Sequence, residues 1–542
     1  MPSHAARARL PRGSGPGDAP AVALHDPDVL ARFLEDAAHF PGGHAESVIS
    51  VRSEADVSAA LRGSRRVLPI GAQSSLTGGA TPMGETLIST AHLNEILDLG
   101  SDTVRLQAGV TLAALDAALR RAGRHYPPAA TFTGAFIGGT IATNAAGAAT
   151  FKYGTTRDWV RALTVVLASG HVLDLERGRT IADPNGRLTI QIDSRDLHVD
   201  VPRYRMPAVP KLSAGYFAAP GMDLIDLFIG SEGTLGVITE ATLRVLPHRP
   251  AFCLAFVQFS DVDRAFALVR TLRDAAGRTW RSGDPHGIDV SAIEHMDRRS
   301  LALVRADGVD RANGVAIRDD TNIALLVTLD LPPGTSSSDA YDSIGRAFDP
   351  APPDTPLTRF CRALADCGVL DHVDIAVPGD DVRAAQLLAV REAVPEAVNA
   401  RVGRAKQSVD GRIAKAAADM IVPFDRLQEF LRFSDAEFAR RGLDAAVWGH
   451  ISDGNLHPNV IPRSFDDVES GKEAILACGR EAIRLGGAPL AEHGVGRNPV
   501  KQQLLAEMYG AAGIEEMRHV KRVLDPDWKL APGVVFTRNS EF

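Results

Sequence analysis

Three times in its first half the sequence enters a run of glycine, alanine and hydroxylated residues. Gly71-Ala72-Gln73-Ser74-Ser75-Leu76-Thr77-Gly78-Gly79-Ala80 follows the strand-like Arg66 to Ile70, Gly138-Gly139-Thr140 through Gly147 forms the second loop, and Gly230-Ser231-Glu232-Gly233-Thr234-Leu235-Gly236 the third. A loop without bulky side chains, placed directly after a strand, lets backbone N–H groups approach and bond a phosphate. One such loop would reflect only turns that need positive φ. Three of them point to a glycine-rich domain built around a long buried ligand. The first loop lacks a following Gly-Lys-Ser/Thr and the GxGxxG spacing, so it is neither a Walker loop nor the common dinucleotide fingerprint.

Helix and strand signals surround these loops. Ser53 stands at the cap of a short helix ending at Gly63, Val104 to Val110 reads as a strand, and Thr111 caps a helix with Leu112, Leu115 and Leu119 on one face. Glu176 to Met222 reads as a loop-rich insertion. Past Pro247 and Pro250 the elements lengthen: strands at Phe252–Phe259 and Ile323–Leu331, helices at Val262–Ala276, Ala384–Val398 and Asp425–Arg441, and a final helix carrying Ile514, Met517, Val520 and Val523. Asp349 to Pro356 is a proline-rich connector. At 542 residues the chain exceeds one ordinary core. The predicted class is α+β, with a disordered or loosely attached segment over residues 1–40, a ligand-binding domain over 41–247, and an α+β cap domain over 248–542 that ends in helices. Arg7, Arg9 and Arg12 superficially suggest a transit peptide, but Pro2, Pro11, Gly13, Gly15 and Pro16 disfavour the helix that one needs.

The chemistry concentrates in Trp448-Gly449-His450-Ile451-Ser452-Asp453-Gly454-Asn455-Leu456-His457-Pro458-Asn459. Asp-Gly signals a two-residue hairpin turn, which would set Ser452 opposite Asn455 and His450 opposite His457. Opposed imidazoles on one hairpin face can grip one metal ion, and Asn459 shares the face of His457. Glu492-His493, set between Ala491 and Gly494, supplies a carboxylate ligand and a third imidazole, provided the flanking glycines make the backbone irregular. Lone histidines are mostly surface polar residues; this grouping outweighs that bland account.

The net charge of −8 and pI near 6.1 argue against nucleic acid as a partner. No apolar run reaches membrane-spanning length. Cys253, Cys361, Cys367 and Cys478 form no CxxC pair and read as reduced thiols of a cytoplasmic protein, with peripheral attachment to a membrane left open.

The three loops, together with Pro69-Ile70, resemble the FAD-binding domain of the vanillyl-alcohol-oxidase-type (PCMH-type) flavoproteins. The His450–His457 stretch and Glu492-His493 narrow the resemblance to the branch of D-lactate, D-2-hydroxyglutarate and glycolate dehydrogenases, and the match runs from about Pro41 to Gly533. It implies a two-subdomain FAD-binding domain followed by a substrate cap. FAD would be non-covalent, because Ser74 stands where some relatives attach flavin through a histidine. The resemblance assigns FAD to Pro69, Ile70, Gly71, Ala72, Gln73, Ser74, Ser75 and Gly78, to Thr133, Gly138, Gly139, Thr143, Asn144 and Gly147, and to Glu232, Gly233 and Ile238.

A zinc or manganese ion would sit on His450, His457 and Glu492, with His493 as general base, Arg391 on the substrate carboxylate and Asn459 as a second substrate-binding residue. The Lys211–Tyr216 region would border the active-site mouth. Two departures from the family pattern stand out: Ala417 replaces a lysine expected before Asp419 to Pro423, with Lys406 and Lys415 nearby, and Ala531 replaces an asparagine. The implied activity is oxidation of a small D-2-hydroxy carboxylate, with a quinone, a cytochrome or an electron-transfer flavoprotein as acceptor and a homodimer among the open assembly states. A flavin-dependent ether-lipid synthase and a non-catalytic metal-binding protein are the contrasting readings.

Overall fold

The computed structural model describes residues 5–12, 21–128 and 132–538. The chain divides into two compact units, one of residues 1–147, 154–247 and 488–542, the other of residues 148–153 and 248–487.

The first unit contains two main sheets. In the smaller, His44–Ser50, Met83–Ser89 and Val67–Ile70 run parallel, with Ala23–Leu24 at the edge. The crossover helix Glu54–Gly63 starts where Ser53 accepts the Asp56 N–H, as its sequence signal predicts. The larger sheet has eight strands in the order Arg195–Asp200, Arg187–Ile192, Ala6–Arg9, Val172–Glu176, Val160–Val166, Val237–Arg244, Thr103–Gln107 and Ile96–Leu99. Val51, Val57, Leu61, Ile88, Val166, Val172 and Val237 form one buried cluster that draws on both sheets. The helix Leu112–Arg121 buries Leu112, Leu115 and Leu119 behind its Thr111 cap.

Two expectations need correction here. The N-terminal segment is not loose throughout: Ala6–Arg9 pairs with Val172–Glu176 on one side and Arg187–Ile192 on the other. Arg9 reaches Glu54 and Asp174, each at 2.6 Å, so an arginine that looked like a tail charge anchors a strand. Residues 1–4 and 13–20 of that segment lie outside the described residues. The insertion is loop-rich, as expected, and within it Arg187–Ile192 and Arg195–Asp200 form one hairpin that joins the large sheet. Residues 488–542, assigned by sequence to the cap, pack with the first unit. There Val67 donates to the Lys529 carbonyl and accepts from the Ala531 N–H, extending the small sheet by one bridge to Leu530. Within the same unit the buried Lys521 ammonium bonds the carbonyls of Thr234 and Leu530 and the Asp525 carboxylate.

The second unit is organised on one sheet, ordered Val373–Ala376, Ala251–Phe259, Ile323–Leu331, Val290–Asp297, Ala445–His450, Asn455–Val460 and Ala416–Ala417, with Met420–Ile421 also on Asn455–Val460. Leu254, Phe256, Met296, Leu326 and Trp448 pack against Leu387, Val390, Val394 and Val398 of the helix Asp381–Ser408. Those helical positions repeat every three or four residues, which makes a single apolar stripe. Pro395 lies inside this helix and removes the hydrogen bond that the Arg391 carbonyl would otherwise accept. The helices begin close to the predicted positions, but Val262–Ser282 and Asp381–Ser408 both run longer than expected. Among the described residues no helix is long and apolar enough to cross a membrane, and the four cysteines are free.

Candidate active site

In the first unit a cavity of about 690 Å³ brings the three small-residue loops together. Pro69 through Ser75, Gly138, Gly139, Thr143, Glu232, Gly233 and Ile238 line it. Each loop carries one non-glycine residue in left-handed backbone, Gln73 (φ 50°), Asn144 (φ 49°) and Glu232 (φ 53°), a conformation that costs about 1 kcal/mol or more. The structure holds each in place. The Gln73 side chain donates to the carbonyls of Phe33 and Ala80, Asn144 accepts from the Arg157 N–H, and Glu232 accepts from the N–H groups of Val495 and Gly496, both at 2.8 Å. Burial raises the pKa of Glu232, and those two N–H donors oppose the rise.

Four of the sequence-assigned residues do not line the cavity. Gly78 backs onto Phe40, where a Cβ would come within 2.5 Å of the ring. Asn144 braces the second loop through Arg157 and the Leu212 carbonyl. Thr133 is exposed and receives the Ala113 N–H at its carbonyl. Gly147 closes the first stretch of the unit. Sequence reasoning missed the cavity residues Arg32 and Asp36, because both fall in the segment dismissed as a tail. The pattern Gly138-Gly139-Thr140 is helical, within Ile137–Ala142, rather than a loop.

These walls fit a flavin dinucleotide. Among the described residues the N–H groups of Ala72, Gln73, Ser74 and Ser75 meet no protein acceptor, as a pyrophosphate cradle requires. A Cβ built on Gly139 would have nothing within 4 Å; this glycine keeps cavity space open.

Glu492 and His493 lie on the wall of the same cavity. Their backbone is irregular, as anticipated, with Gly494 (φ 80°) and Gly496 (φ 58°) both left-handed. Close packing excludes side chains there: a Cβ on Gly496 would come within 2.3 Å of the Thr77 carbonyl oxygen, and one on Gly494 within 3.0 Å of the Glu232 carboxylate. Glu492 Oε2 accepts from Lys211 Nζ at 2.7 Å, and its Oε1 lies 3.5 Å from His493 Nε2.

In the second unit the hairpin register differs from the prediction. His450 pairs with Asn455, and His457 pairs with Trp448. Ile451 to Gly454 form a four-residue connection, because the Asp453 carboxylate takes the Asn455 N–H and Ser452 Oγ takes the Ile293 N–H. Side-chain capture of backbone donors competes with ladder pairing. Gly454 is needed for close approach, since its Cβ would fall 2.2 Å from the Val422 carbonyl oxygen.

The two imidazoles nevertheless share a face as diagonal neighbours, with ring centroids 5.4 Å apart at 88°. His450 is 4% exposed and His457 5%. Glu294 Oε1 stands 2.8 Å from His450 Nδ1, and Asp419 Oδ1 3.5 Å from His457 Nδ1. A carboxylate beside Nδ1 orients an imidazole to present Nε2 to a metal, so the donor set suits a divalent cation. Burial pushes the Glu294 carboxyl up, but the adjoining Arg391 and His450 outweigh this and hold it at about 2.

Arg391 contacts Glu294 Oε2 through Nε and Nη2, each at 2.9 Å, so part of the fork expected for substrate is already engaged. Asn459 donates to the His457 carbonyl, while its buried Oδ1 has no partner among the described residues. Lys415 is water-accessible, yet the surrounding protein lowers its pKa to about 8, as expected for an amine in a recess.

A flavin cradle with a carboxylate and an imidazole on its wall defines a flavin-linked oxidoreductase. Residues 45–176 match the FAD binding domain and residues 250–535 match the FAD linked oxidases, C-terminal domain. The chain belongs to the PCMH-type FAD-linked oxidases. It is 31% identical over 484 residues to a D-2-hydroxyglutarate dehydrogenase of Xanthomonas citri pv. viticola, covering 87% of this chain and 84% of that one. It is 28% identical over 477 residues to a D-lactate dehydrogenase of Anaerostipes hadrus, covering 86% and 84%. An alkyldihydroxyacetonephosphate synthase shares the fold at TM-score 0.56 and 15% identity, over 94% of this chain and 83% of that one.

Proposed function

We propose that the protein oxidises a small D-2-hydroxy carboxylate, D-lactate-like, to the 2-oxo acid. The observation that carries this reading is the placement of His493 on the wall of the cavity formed by the three flavin loops. When bound, FAD supplies the hydride acceptor, and a zinc or manganese ion on His450, His457 and Glu492 supplies Lewis acidity. His493 takes the hydroxyl proton through an imidazole nitrogen, a task for which imidazole is the commonest side chain. Arg391, fixed by Glu294, offers Nη1 to the substrate carboxylate, and Asn459 is the second substrate-binding residue.

A second reading, oxidation of D-2-hydroxyglutarate, draws on the relative of that name at 31% identity. Lys415, exposed beside Asp419 to Pro423 in sequence, would meet the second carboxylate. Anaerobic mixing with D-lactate, glycolate, D-2-hydroxyglutarate and the L-enantiomers tests both readings. Rapid bleaching of the flavin by D-lactate supports the first, and strong preference for D-2-hydroxyglutarate replaces it with the second. Flavin bleached by none of these acids removes the dehydrogenase reading. Acid precipitation should release FAD to the supernatant; flavin retained on the chain contradicts non-covalent binding.

A further inference from the structure

We propose that Lys211 is the positioning residue for Glu492, tying up one carboxylate oxygen so that only the other can serve a metal ion; this rests on the metal reading above. The Lys211 side chain is 0% exposed, and its ammonium stands 2.7 Å from Glu492 Oε2. A desolvated ammonium is strongly unfavourable unless it is paired, and Glu492 supplies a partner carboxylate. The backbone around it is fixed within the same unit. Ser213 donates its N–H to the Leu490 carbonyl and its hydroxyl to the Thr143 carbonyl, and the Tyr216 hydroxyl lies 2.7 Å from Thr234 Oγ1. The lysine therefore stands on a segment clamped both to the chain entering Glu492 and to two of the flavin loops.

The two oxygens of Glu492 are consequently unequal. Oε2 is committed to the ammonium, while Oε1 lies on the side of His493, 3.5 Å from Nε2. A carboxylate held in this way ligates through one oxygen. Calcium favours many oxygen ligands, with bidentate carboxylates common among them, whereas zinc and manganese accept single-oxygen carboxylates beside imidazoles. Lys211 thus favours a transition metal over calcium.

The sign of the Lys211→Met effect separates positioning from simple charge. If the ammonium only repelled cations, its removal would tighten metal binding. A positioning role predicts that manganese binding to the flavin-loaded protein, measured by equilibrium dialysis, weakens about 10- to 100-fold, and that the manganese-to-calcium preference narrows. Glu492→Gln should weaken manganese binding similarly, and the electroneutral double variant Lys211→Met/Glu492→Gln should lose nothing beyond Glu492→Gln alone, because one residue acts through the other. If Lys211→Met does not fold, the comparison of the double variant with Glu492→Gln decides. Unchanged or tighter manganese binding in Lys211→Met, or a further tenfold loss in the double variant, overturns the proposal. Wild-type protein that binds neither manganese nor zinc overturns the metal reading together with it, a result distinguishable from failure of Lys211 alone.

Discussion

The His450–His457 pair and the Glu492-His493 pair carry similar chemistry on opposite kinds of scaffold. The first stands on two strands of a sheet and is flanked by carboxylates, Glu294 and Asp419, within the second unit. The second stands on irregular backbone of the first unit, followed by two left-handed glycines and held by a lysine and by N–H bonds to Glu232. Strand-borne groups inherit their backbone geometry from the ladder and need only the ring torsion about Cβ–Cγ to be fixed, which a carboxylate at Nδ1 does. Turn-borne groups need every bond supplied by neighbouring segments. The strand-borne pair should therefore determine whether metal is held, and the turn-borne histidine how fast the proton moves.

The largest effect should follow from His450→Ala combined with His457→Ala. Metal content should fall to background while FAD stays bound, because the flavin cavity belongs to the other unit; unchanged metal stoichiometry by elemental analysis would break the comparison at its base. Next in size is His493→Ala. It should leave FAD and metal in place and slow flavin reduction by about 10²–10⁴-fold, the usual cost of losing a general base, with reoxidation by an artificial acceptor nearly unchanged; stopped-flow reduction at the wild-type rate would remove this histidine from the chemistry. The smallest of the three belongs to Glu294→Gln. An amide beside His450 Nδ1 orients the ring less firmly, so metal affinity should drop roughly 10-fold, toward the lower end of such substitutions; no change in a metal titration would mean that the ladder alone orients His450.

Local signals in the sequence were reliable where the physics is local. Ser53 and Thr111 cap the helices their spacing indicates, and the α+β class follows from the change of period after Pro247. The three small-residue runs could be read as cavity walls because their composition states the requirement directly. The hairpin register could not, since it depends on the Asp453 side chain taking the Asn455 N–H and on Ser452 reaching a distant strand. Glu294, which orients His450 from 156 residues away, left no local trace. The same holds for Lys211, 281 residues from Glu492. Such contacts depend on tertiary burial, and a charged residue in a polar stretch reads as solvated. Arg9 shows the error in the other direction, a basic residue in a proline- and glycine-rich segment that proves to be tied to Glu54 and Asp174.

The strand Ala6–Arg9 also bears on the order of events during synthesis. It sits between Val172–Glu176 and Arg187–Ile192 in the large sheet, and Arg9 is separated from Asp174 by 165 residues. At translation rates of about 5–20 residues per second, this strand waits roughly 10–30 s on the ribosome before either neighbour exists. Closure of the large sheet is therefore a late step that joins Ala6–Arg9 to strands made about 165 or more residues later, and until then both of its edges remain open to other chains.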